Sequence, residues 1–134
     1  MTDRRRLWYL ALAFVTIAAG LLVHLRSAAL GAATRDVAGD ALWAAMIMWL
    51  AGAAAPGARL AARCVAAYTL CVAVELGQLY HGAIVEVIRA TEPGRLVLGS
   101  GFDPRDFGAY ALGVAVAALL DAAIVSSSPR PPAP

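Results

Sequence analysis

Glu75 and Gln78 stand three residues apart inside a run that is otherwise free of charge. A carboxyl kept from water costs several kcal/mol unless it finds a partner, so such residues face a bundle interior and mark sites for protons, ions or ligands. On a helix, the i, i+3 spacing turns the carboxyl and the carboxamide to one side. Asp40 follows Gly39 and has Trp43 one turn later, while Asp106 has Tyr110 at i+4. Both acids fall where an apolar run begins, and a helix N-terminus offers free amides and the positive end of its dipole there. Capping alone therefore accounts for each. Arg26 and Arg89 add guanidinium groups, which stay charged and can grip a carboxylate or phosphate with two parallel hydrogen bonds. Gathered on one side, Arg26, Asp40, Glu75, Gln78, Arg89, Asp106 and Tyr110 form a candidate ligand-binding mouth. The plainer reading of Glu75 is a group bonded to Gln78 and a neighbouring helix that only sets helix register.

These residues stand out because so little else in the chain is polar. Of 134 residues, 61% are hydrophobic and 15% charged, and all eleven basic residues are arginine. Soluble domains are nearer 45–50% apolar and about 25% charged, and one small core cannot hide this much apolar surface. Two cysteines exclude a disulfide scaffold. A membrane span needs roughly 20 apolar residues. Four such stretches are present, at about 7–25, 41–58, 62–82 and 107–125. The expected fold is all-α: an integral membrane four-helix bundle forming one domain over residues 1–125, followed by a disordered Pro-rich tail over 126–134. The first stretch follows Arg4, Arg5 and Arg6 but is longer than a signal-peptide core, so it reads as a retained anchor.

With both termini cytoplasmic, the inner segments hold Arg4, Arg5, Arg6, Arg59, Arg63 and Arg130 with the acids Asp3 and Asp121. The outer loops then hold Arg26, Arg35, Arg89, Arg95 and Arg105 among six acids. The orientation rests mainly on the Arg4–Arg6 cluster beside the first span. Small residues at i, i+4, i+8 predict close helix packing at Ala58, Ala62 and Ala66, and again at Ala109, Gly113 and Ala117. Asp121 is expected to pair with Arg59 or Arg63. The link from Ala83 to Asp106 reads either as a short interfacial helix or as a hairpin around Pro93-Gly94, in both cases able to bring Arg89 over Glu75. Cys64 and Cys71, seven apart on one helix, lie too far from each other for a disulfide. His24 and His81 have no metal-site spacing, and no metal or cofactor is expected. The arginines are divided between two membrane faces, which argues against nucleic-acid binding.

The ordered set Arg26, Gly39-Asp40-Ala41-Leu42-Trp43, Val74-Glu75 with Gln78, Ile88-Arg89-Ala90-Thr91 with Gly94, Leu98-Gly99, Phe102, and Asp106 with Tyr110 and Gly113 resembles domain-of-unknown-function family 2809, small VanZ-like bacterial membrane proteins. The resemblance implies a four-helix membrane bundle in the bacterial cytoplasmic membrane and adds weight to Glu75, Gln78, Arg89 and Asp106. It implies no reaction. The expected function is binding of a polar or anionic ligand, such as a lipid headgroup or cell-envelope molecule, at the outer side. The alternative is a proton-coupled transporter using Glu75. An intramembrane enzyme ranks below both, since no nucleophile or metal motif is present. Membrane lipid is the expected partner, and a homo-oligomer is left open.

Overall fold

A computed structural model of the chain describes residues 2–26, 31–80, 82–98 and 101–126. Four long helices, α1 (Thr2–Leu25), α2 (Ala32–Ala54), α3 (Leu60–Gly77) and α6 (Asp106–Ser126), are long and apolar enough to cross a membrane. Two single-turn helices, α4 (Ala83–Arg89) and α5 (Glu92–Leu98), lie between α3 and α6. The protein is thus an all-α, multi-pass membrane bundle, and no strand is present among the described residues. The 83–106 link is helical and not a hairpin. The expected tail lies almost wholly outside the described residues.

The second helix differs most from its apolar run. It begins at Ala32, well before Ala41, and stops at Ala54, before Pro56. Proline disfavours helical backbone in the residue ahead of it, which ends the helix early. At the other end Arg35 and Asp36 are charged, but a helix continues past the hydrocarbon as readily as inside it. Asp40 therefore does not cap α2: Gly31 occupies that position, and Asp40 lies in the third turn.

Helix α2 packs against α1, α3 and α6, and α3 also packs against α6. Ala44, Met48 and Trp49 of α2 are buried among Tyr9 and Ala13, Ala67 and Cys71, and Tyr110, Val114 and Ala117. The outward surface is apolar, with Phe14 and Leu119 each 72% exposed, as hydrocarbon contact requires. Without water exclusion between helices, close van der Waals approach is what holds them. The Ala109, Gly113 and Ala117 stripe is buried as expected, and a Cβ on Gly113 would sit 2.0 Å from the Ala41 carbonyl oxygen. The α3 stripe is corrected: Ala62 and Ala66 are exposed, and the buried face is Arg63, Ala67, Cys71 and Glu75. Chain spacing alone could not choose between two stripes one residue apart.

All four long helices meet at the Arg63 end. Arg63 Nη2 donates to Asp121 Oδ2 at 2.6 Å, and the Tyr9 hydroxyl donates to Asp121 Oδ1 at 2.7 Å. The guanidinium also lies 5.1 Å from the centre of the Tyr9 ring, which in turn stacks on Trp49. That aromatic face is the neighbour of a cation whose Nε and Nη1 have no hydrogen-bond partner. Gly52 makes the room, since a Cβ there would come within 2.8 Å of the Tyr9 ring. Tyr9 opens α1, Gly52 closes α2, Arg63 opens α3 and Asp121 closes α6, so successive long helices run antiparallel.

Two substitutions test this packing. Asp121→Asn leaves Arg63 buried without its counter-charge and should lower stability by about 3–5 kcal/mol, read as thermal unfolding in detergent, with Arg63→Met/Asp121→Leu recovering part of it. Gly113→Ala should cost about 1–3 kcal/mol by forcing α6 off α2. Gly108→Ala, at an open position on the same helix, should be neutral or stabilising.

Candidate functional site

The opposite end is built around a carboxyl with no solvent contact. Glu75 is 0% exposed because α3 turns it inward with Cys71 and Ala67. Its Oε2 accepts from Gln78 Nε2 at 3.0 Å and from the Tyr110 hydroxyl at 2.9 Å, and its Oε1 accepts from the Asp103 amide at 2.7 Å. Three donors thus come from the same helix, from α6, and from the link that leads into α6. Gln78 extends the network, its Oε1 accepting from the Gly101 amide at 3.1 Å. The i, i+3 spacing read from the chain does place Glu75 and Gln78 together.

Asp40 of α2 and Asp106 of α6 face each other within hydrogen-bonding range, close to Glu75. An oxygen-to-oxygen bond between two carboxyls requires a proton between them. Asp106 opens α6, whereas Asp40 reaches the pair from inside its helix. Tyr110, one turn beyond Asp106, is buried and bridges to Glu75.

The arginines are elsewhere. Arg89 Nη1 donates to the Tyr80 carbonyl at 3.2 Å and to Glu86 Oε1 at 3.1 Å, while Nη2 donates to the Gln78 carbonyl at 3.3 Å. It therefore closes the carbonyl end of α3 and does not reach the Glu75 carboxyl. A cation suits that position, where the helix dipole is negative. Arg26 is exposed just past the end of α1, outside the cluster. Five of the seven expected residues come together; the two arginines do not join them.

Beside the cluster lies a cavity of about 280 Å³ bounded by α1, α2, α3, α5 and α6. Thr16, Ile17, Gly20 and Leu21 form one wall, and Leu42, Trp43, Met46, Val74 and Val97 the others. Its polar lining is Asp40, Gln78, Tyr110, Thr16 and the Trp43 ring. Glu75 does not line it; it stands behind Gln78 and Tyr110 and fixes them. Sequence reasoning missed Thr16 and the amides of Gly101 and Asp103. Thr16 and Gly20, at i, i+4, are a polar and a small residue in the first span, a signal that was present. The amides carry no sequence signal, because every residue except proline has one. Cys64 and Cys71 are free thiols, and no group of three His, Cys, Asp or Glu side chains among the described residues is disposed to hold a metal ion.

The fold and this cluster define a small multi-span membrane protein with an interior carboxyl network next to an apolar cavity. Residues 29–114 match the family described as "Protein of unknown function (DUF2809)", and the chain belongs to that family. The matched segment holds Asp40, Glu75, Gln78, Arg89, Asp106 and Tyr110, but neither Arg26 nor the α1 wall of the cavity. No solved structure matches the chain.

Glu75→Ala would leave three donors without their acceptor and should cost about 3 kcal/mol or more in thermal unfolding. Glu75→Gln keeps an acceptor for the Asp103 amide and should cost less than half as much. Equal losses would show that the network does not depend on the carboxyl.

Proposed function

We propose that this protein binds a membrane-dissolved amphiphile in the cavity beside Glu75, with the amphiphile's polar head donating hydrogen bonds to Asp40. The observation that carries this reading is the lining itself: apolar walls from four transmembrane helices and α5, one carboxyl, and no basic side chain. Small-ligand sites have this form, mostly apolar with a few convergent polar groups that set orientation. An anionic head would meet Asp40, Asp106 and Glu75 with no arginine to offset them, so the expectation of an anionic ligand gives way to one with a cationic or N–H-rich head. Proton-coupled transport through Glu75 is the weaker alternative, because that carboxyl is occupied by three donors and is set back from the cavity. The Arg4–Arg6 cluster places the termini in the cytoplasm and this end at the outer face of a bacterial cytoplasmic membrane.

The test uses dodecylammonium carrying a brominated chain, added to the protein in zwitterionic nanodiscs. The reported signal is the part of the tryptophan quenching that disappears in Trp43→Phe. Asp40→Asn should weaken binding about tenfold, the loss of one partly buried charge pair. Tighter binding of a brominated dodecyl sulfate than of the amine would overturn the assignment.

A further inference from the structure

Helices α4 and α5 touch the bundle differently from the rest of the chain. Neither packs on a long helix as the long helices pack on one another, and α4 has no buried residue. Ile84, Val87 and Val97 are 77%, 70% and 56% exposed. The pair is held instead by a few polar tethers, all to the last turn of α3 and the residues just after it. At one end Arg89 donates to the carbonyls of Gln78 and Tyr80. At the other, beyond α5, the Gly101 amide donates to Gln78 Oε1 and the Asp103 amide to Glu75 Oε1. Arg95, and more weakly His24 at the end of α1, hold the Glu92 carboxyl below its usual range, which sets the start of α5 near the end of α1.

Between these tethers the corner is stiff. Thr91 Oγ1 donates to the Ile88 carbonyl and accepts from the Gly94 amide, and a Cβ on Gly94 would lie 1.8 Å from the Ile88 oxygen. The two helices are therefore joined as one body. Gly101, at φ +155°, supplies a backbone conformation that other residues rarely adopt, at the junction where that body meets the bundle. Val97 of α5 forms part of the cavity wall, and Gln78 lines the same cavity while accepting the Gly101 amide.

We infer that α4 and α5 form a rigid lid over the cavity, latched to the end of α3 by Arg89, Gln78 and Glu75, and that the lid opens as one unit to admit the ligand. The inference rests on the amphiphile reading for what enters, but not for the lid itself. Segments with little buried apolar surface and a few exposed hydrogen bonds open at the lowest free-energy cost in a fold. Gln78 ties the two events together, because a head group drawing on its carboxamide competes with the Gly101 amide that holds the lid shut.

Hydrogen exchange on the full chain in nanodiscs tests this. Arg89→Gln removes the tether at the α4 end and touches neither Gly101 nor Asp103. If the lid moves as a unit, exchange at the Gly101 and Asp103 amides should rise about tenfold in this variant, the effect of losing one or two hydrogen bonds. A rise confined to α4 would overturn the lid, as would unchanged rates at both amides. Unfolding of the variant is recognised by faster exchange in α2 and α6 as well; in that case labelling of Val97→Cys in a Cys64→Ala/Cys71→Ala background by a polar maleimide replaces it. That labelling should be slowed by saturating dodecylammonium, and a rate that dodecylammonium leaves unchanged would overturn the lid. If Arg89→Gln speeds both amides but the amine protects neither, the lid stands and the amphiphile reading of the cavity falls.

Discussion

A carboxyl with no access to water has to be satisfied by protein donors, and meeting that requirement at Glu75 determines how one whole end of this molecule is built. Two of its three donors come from outside α3. The Tyr110 hydroxyl brings in α6, and the Asp103 amide brings in the chain just ahead of α6. The acceptor thus specifies both where the last helix starts and how it faces α3. A neutral hydrogen bond contributes only about 1 kcal/mol, but leaving such a group unpaired in a dry interior costs more than making the bond gains. The network therefore acts mainly by excluding alternatives. Any arrangement of α6 that pulls Tyr110 away exposes Glu75 to an unmet demand.

The Arg63 end applies the same rule with a full ion pair. Tyr9, Arg63 and Asp121 come from three helices, and Gly52 of the fourth gives them space. Four long helices are thereby pinned at both ends of α3: by a charge pair and an aromatic face at one, by a carboxyl and its donors at the other. Between the pins the contacts are small and apolar. Hydrocarbon offers helices little reason to associate except fit, and here fit is provided by Gly113 against Ala41 and by Ala44 and Ala117 in the core. The polar pins set register and the small residues set distance.

This arrangement also explains why the cavity sits where it does. Asp40, Gln78 and Tyr110 edge the space left beside the Glu75 network, where α1 leans on α2 and makes few contacts with α3 or α6. The lid covers that gap with two short helices that contribute no packing of their own. A region tied by a handful of hydrogen bonds can separate from the bundle without disturbing the pins.

Much of this was readable from the chain. The four spans, the single all-α domain, the alliance of Glu75 with Gln78, and an inner partner for Asp121 follow from composition, hydropathy and helical spacing, which are local properties. Five of the seven site residues were legible for the same reason: a polar residue in an apolar span has few places to go. Other features depended on which residues approach through space. Arg89 turned to the end of α3 because carbonyls at a helix terminus lay within its reach and the Glu75 carboxyl was already full. The buried stripe of α3 ran through Arg63 and Glu75, since the long-range bonds to Asp121 and Tyr110 select that face over Ala62 and Ala66. The backbone amides of Gly101 and Asp103, and the Thr16 wall from a helix seven turns of sequence away, entered the site only on folding. The sequence by itself determined that the molecule lives in a membrane as a helical bundle with a carboxyl inside. Only the tertiary structure decided which groups satisfy that carboxyl, because hydrogen-bond partners are chosen by distance in space, and local periodicity carries no record of it.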